Sequence, residues 1–263
     1  MTPLRIAISP CPNDSFIFGA WVLGLAPPPQ GLDCRFFWHD VQELNHGALT
    51  GEWDVIKVSA ATALRLEDTC TILPCGGAFG LEHGPKLVTR KGFDGELRRI
   101  AVPGLDTTAA CVLHAALDGR FTPVPMIFHA IVDAVRAGEV DAGLLIHETA
   151  LIHERYDLAL RLDLGQWWRE RTGSLPLPLG CIVARNALGP ALHLAVADSI
   201  RASILFARAS RESIMPFVAT LARELDAATL EQHIAAYVNA FSLDMGPDGQ
   251  AALNTLQTLR DLS

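Results

Sequence analysis

The sequence predicts an α/β fold in two lobes with a ligand cleft between them, and three observations carry that reading. Short apolar runs alternate with Ala-rich helical segments, the pattern of βαβ units on a largely parallel sheet. The alternation runs twice, over residues 4–64 and again over residues 100–146, with a Gly-rich stretch at 76–85 between the two runs. Past Arg185 it gives way to four helical segments with no convincing strand. The expected layout is a discontinuous first lobe, residues 1–89 and 186–263, and a second lobe, residues 90–185. The C-terminal helices are expected to pack on the first lobe.

Leu4 to Ile8 is an apolar run of strand length. It ends in Ser9-Pro10-Cys11-Pro12-Asn13-Asp14-Ser15-Phe16, two prolines followed by helix-capping residue types. A helix is therefore expected over residues 16–25, capped by Asn13 or Asp14. A strand ending in a stiff turn that opens a helix is where open α/β sheets bind ligands. The prolines of 27–29, with Gln30 and Gly31, make a stiff connection to a strand at 32–39. Asp40 caps a helix to Thr50, with Val41, Leu44, Ala48 and Leu49 inward. Residues 54–58 form a short strand that runs into a helix at 60–64, and residues 86–90 form a strand behind the glycines. Strand 100–102, helix 107–117, strand 124–128, helix 130–137 and strand 142–146 follow, then strands near 158–164 and 179–184. Helices are expected at 191–208, 211–225, 227–241 and 248–261.

Half of the 263 residues are hydrophobic and 19% are charged, which favours packed cores over disorder. The net charge of −8, with no Lys/Arg block to offset it, argues against a nucleic-acid partner. A small anionic ligand is compatible with it, because helix N-termini bind anions inside acidic proteins. The six cysteines (11, 34, 70, 75, 111 and 181) show no CxxC pair and no zinc spacing, so they read as reduced thiols, mostly of the core. The apolar run 16–26 imitates a signal-peptide core, but one basic residue, Arg5, and an acidic Asp14 precede it. It is also too short to span a bilayer. A cytoplasmic protein with no membrane partner is expected.

Two stretches echo one another across the halves. Lys57-Val58-Ser59-Ala60-Ala61-Thr62 and Asp106-Thr107-Thr108-Ala109-Ala110-Cys111 each follow a strand and open an Ala-rich helix with hydroxyl side chains. Small residues admit a ligand to the backbone, and unpaired N–H groups suit a carboxylate or phosphate. The plainer alternative makes the hydroxyls N-caps only. His147 closes the uncharged run Ala142-Gly143-Leu144-Leu145-Ile146, at the strand end where open sheets present residues to the crevice. An imidazole there suits a general base. His83 and His153 lie in loops nearby, while His114, His193 and His233 fall in helical patterns and read as packing or surface residues. No HExxH, P-loop, GxGxxG or GxSxG occurs, so neither a metal nor a nucleotide cofactor is expected. Trp167 and Trp168 read either as a helix with one buried indole or as a stacking wall.

Taken together, SPCPNDSFIFGA at 9–20, KVS at 57–59, GGAFG at 76–80, TTA at 107–109, AGLLIHE at 142–148, DLGQWWRERTGSLPLPLG at 163–180 and YVNAFSLDMG at 237–246 resemble one family. It is the 1,4-dihydroxy-6-naphthoate synthases of the futalosine route to menaquinone. The resemblance implies a periplasmic-binding-protein-like (type II) fold working in the cytoplasm, with no cofactor. It implies cyclic dehypoxanthinylfutalosine as substrate and 1,4-dihydroxy-6-naphthoate and dihydroxyacetone as products. It also implies His147 as the base and substrate contacts at Lys57, Val58, Ser59, Thr107, Thr108 and Ala109. Ser15 stands where the family often has Thr. Asp106 stands where some relatives have His, which sets a negative charge beside the expected anion site. The alternatives are chorismate dehydratase, the sister enzyme of the same fold, and a non-catalytic solute-binding protein.

Overall fold

A computed structural model describes residues 3–29, 31–222 and 226–261. Strand β1 (Leu4–Ile8) leads through the proline turn into helix α1 (Pro12–Val22). The helix starts four residues before the expected position, because Pro12 occupies its first turn, where a missing N–H leaves no bond unmade. Asn13 and Asp14 consequently lie inside that turn and are not its cap; the cap is Cys11, which makes no side-chain capping bond. Every residue from Pro12 to Trp21 is buried. A helix apolar all round needs cover on all sides, and α1 has it from the first sheet and the C-terminal helices.

Strand β2 (Cys34–Trp38) precedes α2 (Val41–Leu49), which Asp40 opens through a capping box with Glu43. Leu44 and Ala48 face inward as expected, whereas Leu49 is exposed. It stands about 140° round the helix from Leu44 at 100° per residue. Strand β3 (Val55–Ser59) runs straight into the four-residue α3 (Ala60–Ala63). Two short strands follow, β4 (Cys70–Ile72) and β5 (Ala78–Gly80), the second in the stretch whose glycines hid any strand pattern.

The second sheet begins with β6 (Lys86–Arg90) and β7 (Arg99–Val102). Helix α4 (Thr108–Ala116), β8 (Thr122–Pro125), α5 (Ile131–Ala137), β9 (Ala142–Leu145) and α6 (His147–Leu151) follow. Strand β10 (Leu158–Asp163) and α7 (Leu164–Thr172) complete this lobe. Strand β11 (Leu177–Arg185) returns to the first sheet, and α8 (Pro190–Ala209), α9 (Arg211–Leu221) and α10 (Ala227–Tyr237) cover α1. The helix expected to run unbroken to residue 241 stops at Tyr237. Asn239 then caps α11 (Ala240–Leu243) and donates to the Phe79 carbonyl. Helix α12 (Gly246–Asp261) packs on β11 and α3 but also on α4 of the second lobe. Residues 223–225 of the expected 211–225 helix lie outside the described residues, as do Gln30 and the last two positions.

The first sheet has the order β2-β1-β3-β11-β4, with β5 also on β11; the second has β10-β6-β9-β7-β8. The βαβ runs are parallel as expected (β1 with β2 and β3, β7 with β8 and β9). Strands β11 and β6 pair antiparallel with their neighbours. Sheet membership corrects the expected lobe boundaries. Lys86–Arg90 already belongs to the second sheet and Leu177–Arg185 is already back in the first, so the chain changes sheet ahead of residues 90 and 185. An apolar run looks the same in either sheet, and only long-range pairing decides which it joins. At the first change of sheet Gly84 is pressed on Gly165 of α7: a Cβ added to Gly84 would stand 2.7 Å from the Gly165 Cα and N.

Candidate active site

The strand ends of both lobes meet at one cleft. It is lined by Ser9, Asn13 and Asp14 of the β1–α1 turn, Lys57, Val58 and Ser59 of β3, and Thr107, Thr108 and Ala109 at the start of α4. Ile146 and His147 after β9, Leu179 and Gly180 of β11, and Tyr237 of α10 close it. All seven residues implied as substrate contacts or base thus fall in one cavity.

Their side chains are not equally free. The Lys57 ammonium is buried and forms an ion pair with Asp14, itself 1% exposed. Asp14 also accepts from the Ser9 hydroxyl at 2.7 Å and from Asn13 Nδ2 at 2.7 Å. The pair satisfies the charge on both sides, as a buried ion pair must. Gly180 makes room for the lysine stem, since a Cβ there would come within 2.7 Å of Lys57 Cε. Ser59 exchanges bonds with Asn45 through its N–H (2.8 Å) and hydroxyl (3.1 Å). Thr107 caps α4 by accepting from Ala110 N, and Thr108 donates to the Leu179 carbonyl at 3.1 Å. The threonine hydroxyls are therefore taken up in holding the fold, and the N–H groups of Thr108 and Ala109 lie in the first turn of α4, where a helix gives its donors no partner of its own.

Asp106 does not oppose an anion there. Its carboxylate accepts from Arg65 at 2.5 Å and from Gln42 at 2.9 Å, in a separate pocket outside the cleft. Its carbonyl binds Thr62 at 2.8 Å and Asn45 at 3.3 Å. These bonds tie the two echoing stretches together across the lobes.

His147 is the first residue of α6, and its backbone is left-handed, with φ of 53°. Non-glycine residues in that region are uncommon and concentrate at functional sites. Its Nε2 lies 3.6 Å from the Cys11 sulfur. Burial above all, then Glu148 and Asp14, pushes the Cys11 thiol well up, which favours the protonated thiol over the nucleophilic thiolate. The His147 ring meets Phe128 edge-on at 5.1 Å and stacks on His233 at 6.3 Å. His233 has no exposed surface, and burial first, then His147 and Lys57, holds its imidazole well below the usual range. Tyr237 packs against it at 4.9 Å. Burial, with Glu148 and Asp163, pushes the tyrosine hydroxyl up.

The remaining candidates lie elsewhere. His153 binds the Ala150 carbonyl at 3.1 Å, and neither it nor His83 lines the cleft. Trp168 is fully buried and donates to the Leu175 carbonyl at 3.0 Å, which selects the buried-indole reading over the stacking wall. Sequence reasoning missed Asp14 as the partner of Lys57, together with Asn13, Tyr237 and His233. The available signal was two opposite charges, Lys57 alone in an apolar run and Asp14 in the turn just before one.

Comparison with known proteins agrees with this architecture. A family model described as menaquinone biosynthesis matches residues 4–260. A Streptomyces coelicolor protein named 1,4-dihydroxy-6-naphthoate synthase is 43% identical, over 97% of this chain and 92% of its own. A Thermus thermophilus protein of the same name is 42% identical, over 97% and 93%. Among solved structures, one from Archaeoglobus fulgidus superposes with a TM-score of 0.93 at 34% identity, over 98% of this chain and 97% of that one. The Escherichia coli periplasmic aliphatic sulphonate-binding protein reaches 0.68 at 12% identity, over 99% and 86%, a likeness of fold alone. With residues 4–260 matched and its two lobes in place, the chain belongs to the menaquinone-biosynthesis family, among the 1,4-dihydroxy-6-naphthoate synthases.

Proposed function

We propose that this carbon–carbon lyase cleaves cyclic dehypoxanthinylfutalosine to 1,4-dihydroxy-6-naphthoate and dihydroxyacetone in the cytoplasm, with His147 as general base. The observation that carries the reading is the position of His147. It stands at the mouth of β9, in the same cavity as Lys57–Ser59 and Thr107–Ala109, and its left-handed backbone turns it there. The imidazole removes a hydroxyl proton from the sugar-derived part of the substrate. The electron pair left on oxygen forms a carbonyl as the adjacent carbon–carbon bond breaks, in the manner of a retro-aldol step; the pair from that bond passes into the ring system as an enolate, which takes the proton back from the imidazolium. The ring left behind becomes aromatic, which drives the cleavage. The N–H groups of Thr108 and Ala109 hold the substrate carboxylate, and the apolar walls of Val41, Leu44 and Leu179 pack the ring system and exclude water.

Incubating the purified protein with cyclic dehypoxanthinylfutalosine is expected to release the naphthoate, detected by chromatography. Dehydration of chorismate with no naphthoate formed would assign the chain to the sister reaction. His147→Ala is expected to fold and bind substrate but to lose turnover about 10²-fold or more. Near-normal turnover in that variant removes His147 from the mechanism.

A further inference from the structure

Behind His147 lie two buried polar groups that the proposed reaction leaves unused. Glu148 is 3% exposed and its Oε2 has no hydrogen-bond partner; His233 is fully buried and its Nδ1 has none either. The two atoms face one another at 3.7 Å. Buried polar groups without partners are rare and call for an explanation.

The neighbours of His233 fix its tautomer. The Asp14 carboxylate, already holding Lys57 and Ser9, only accepts, so Asn13 turns its amide N–H to it at 2.7 Å. Asn13 Oδ1 then faces His233 Nε2 at 3.0 Å, and Nε2 must carry the proton. A neutral ring so arranged leaves Nδ1 bare. An ionised Glu148 would therefore set one buried acceptor against another. A single proton between them replaces that repulsion with attraction, which draws the atoms from 3.7 Å to hydrogen-bond distance, and leaves the cluster neutral, since Lys57 and Asp14 already cancel.

We propose that Glu148 and His233 share one proton across the seam between the lobes, and that the pair serves as positioning residues for His147. Glu148 follows His147 directly on α6 of the second lobe, whereas His233 belongs to α10, which packs on α1 of the first. The His233 ring lies nearly parallel to that of His147, 20° between planes. One bond thus fixes the base from two directions, through the adjacent backbone and through the stacked ring. The low basicity of His233 disfavours a second proton on the pair, so one is the stable number. Arg155 ties the same seam nearby, donating to Asp226 at 3.2 Å and to Thr229 at 3.3 Å at the start of α10. The positioning role rests on His147 being the base; the shared proton does not.

Nitrogen-15 NMR of the histidine-labelled protein tests the proton directly. The His233 Nδ1 signal is expected to be that of a hydrogen-bonded nitrogen, with a far-downfield proton resonance, and to revert to a bare acceptor in Glu148→Ala. A bare Nδ1 in the native protein overturns the proposal. Kinetics test the role: Glu148→Ala is expected to lower kcat about tenfold or more with little change in KM. Glu148→Gln, whose amide N–H replaces the shared proton, is expected to recover most of that loss. Equal kcat in the two variants overturns the positioning role. Should Glu148→Ala fail to fold, the native spectrum and a Glu148→Gln variant as impaired as His147→Ala would decide against it in the same way. Turnover that survives His147→Ala would overturn the base assignment alone, because the NMR signature is independent of it.

Discussion

Lys57 and Asp14 sit in apolar surroundings that tolerate either charge only in the presence of the other. Lys57 is 7% exposed and Asp14 1%, on elements forty-three positions apart in sequence. Asp14→Ala leaves the ammonium buried and uncompensated, and should lower stability by about 3–5 kcal/mol in urea unfolding. Adding Lys57→Met should recover much of that loss; no recovery would mean that the aspartate acts through Ser9 and Asn13 instead. Both charges were visible in the sequence, Lys57 as the single interruption of an apolar run and Asp14 in the polar turn that precedes one. Their pairing was not, because contact between a helix start and a strand is set by packing and not by local pattern. Cys11 shows the converse. Its unusual proline turn marked it early, yet what the fold does with the thiol is bury it against His147 Nε2, 3.6 Å away. His233 was legible as a helical residue, packing or surface, but its full burial and its link through Asn13 to Asp14 needed the third dimension.

At the scale of elements, capping was read well where one residue both starts the helix and points back at it, as Asp40 does for α2. It was misread at α1, where Pro12 took the first turn and drew Asn13 and Asp14 inside. Asp163 carries two tasks at once, capping α7 by accepting from Gln166 N at 3.1 Å and pairing with Lys86 of β6 at 2.5 Å. Burial raises its pKa, but the Lys86 bond and the helix N–H groups outweigh this and hold the carboxyl below its ordinary 3.8. The folded form therefore binds fewer protons than the unfolded one in acid. The resulting stability is present above about pH 4 and is lost as pH falls through the lower folded value. Asp163→Ala should cost about 1–2 kcal/mol at pH 7 by loss of the cap. The gap to the native protein should narrow below pH 4 in a series of urea melts. A gap independent of pH would separate the cap from the charge.

For the molecule as a whole, the two-lobed plan and the C-terminal helices over α1 were legible because each rests on a repeated local pattern. The places where the chain changes sheet were not, since β6 and β11 take their membership from partners far along the chain. One of those places carries a contact whose mechanical meaning goes beyond packing. Gly84 touches the Gly165 backbone with no intervening side chain, and its neighbour Pro85 both lines the cleft and accepts from Leu164 N at 3.0 Å. A joint between two backbones has no slack, because neither side can rotate away as a side chain would. A displacement there shifts the start of β6 against α7. Gly84→Ala would require a shift of the main chain, and the shift would fall on the distance between Lys57–Ser59 and His147. Its signature should be a drop in kcat larger than its loss of thermal stability would explain, with near-native kcat the result that would show the joint to be compliant. The glycine pair is then the seat of β6, the strand that pairs with β9 and so stands one step from His147: two hydrogen atoms in place of side chains keep that seat close.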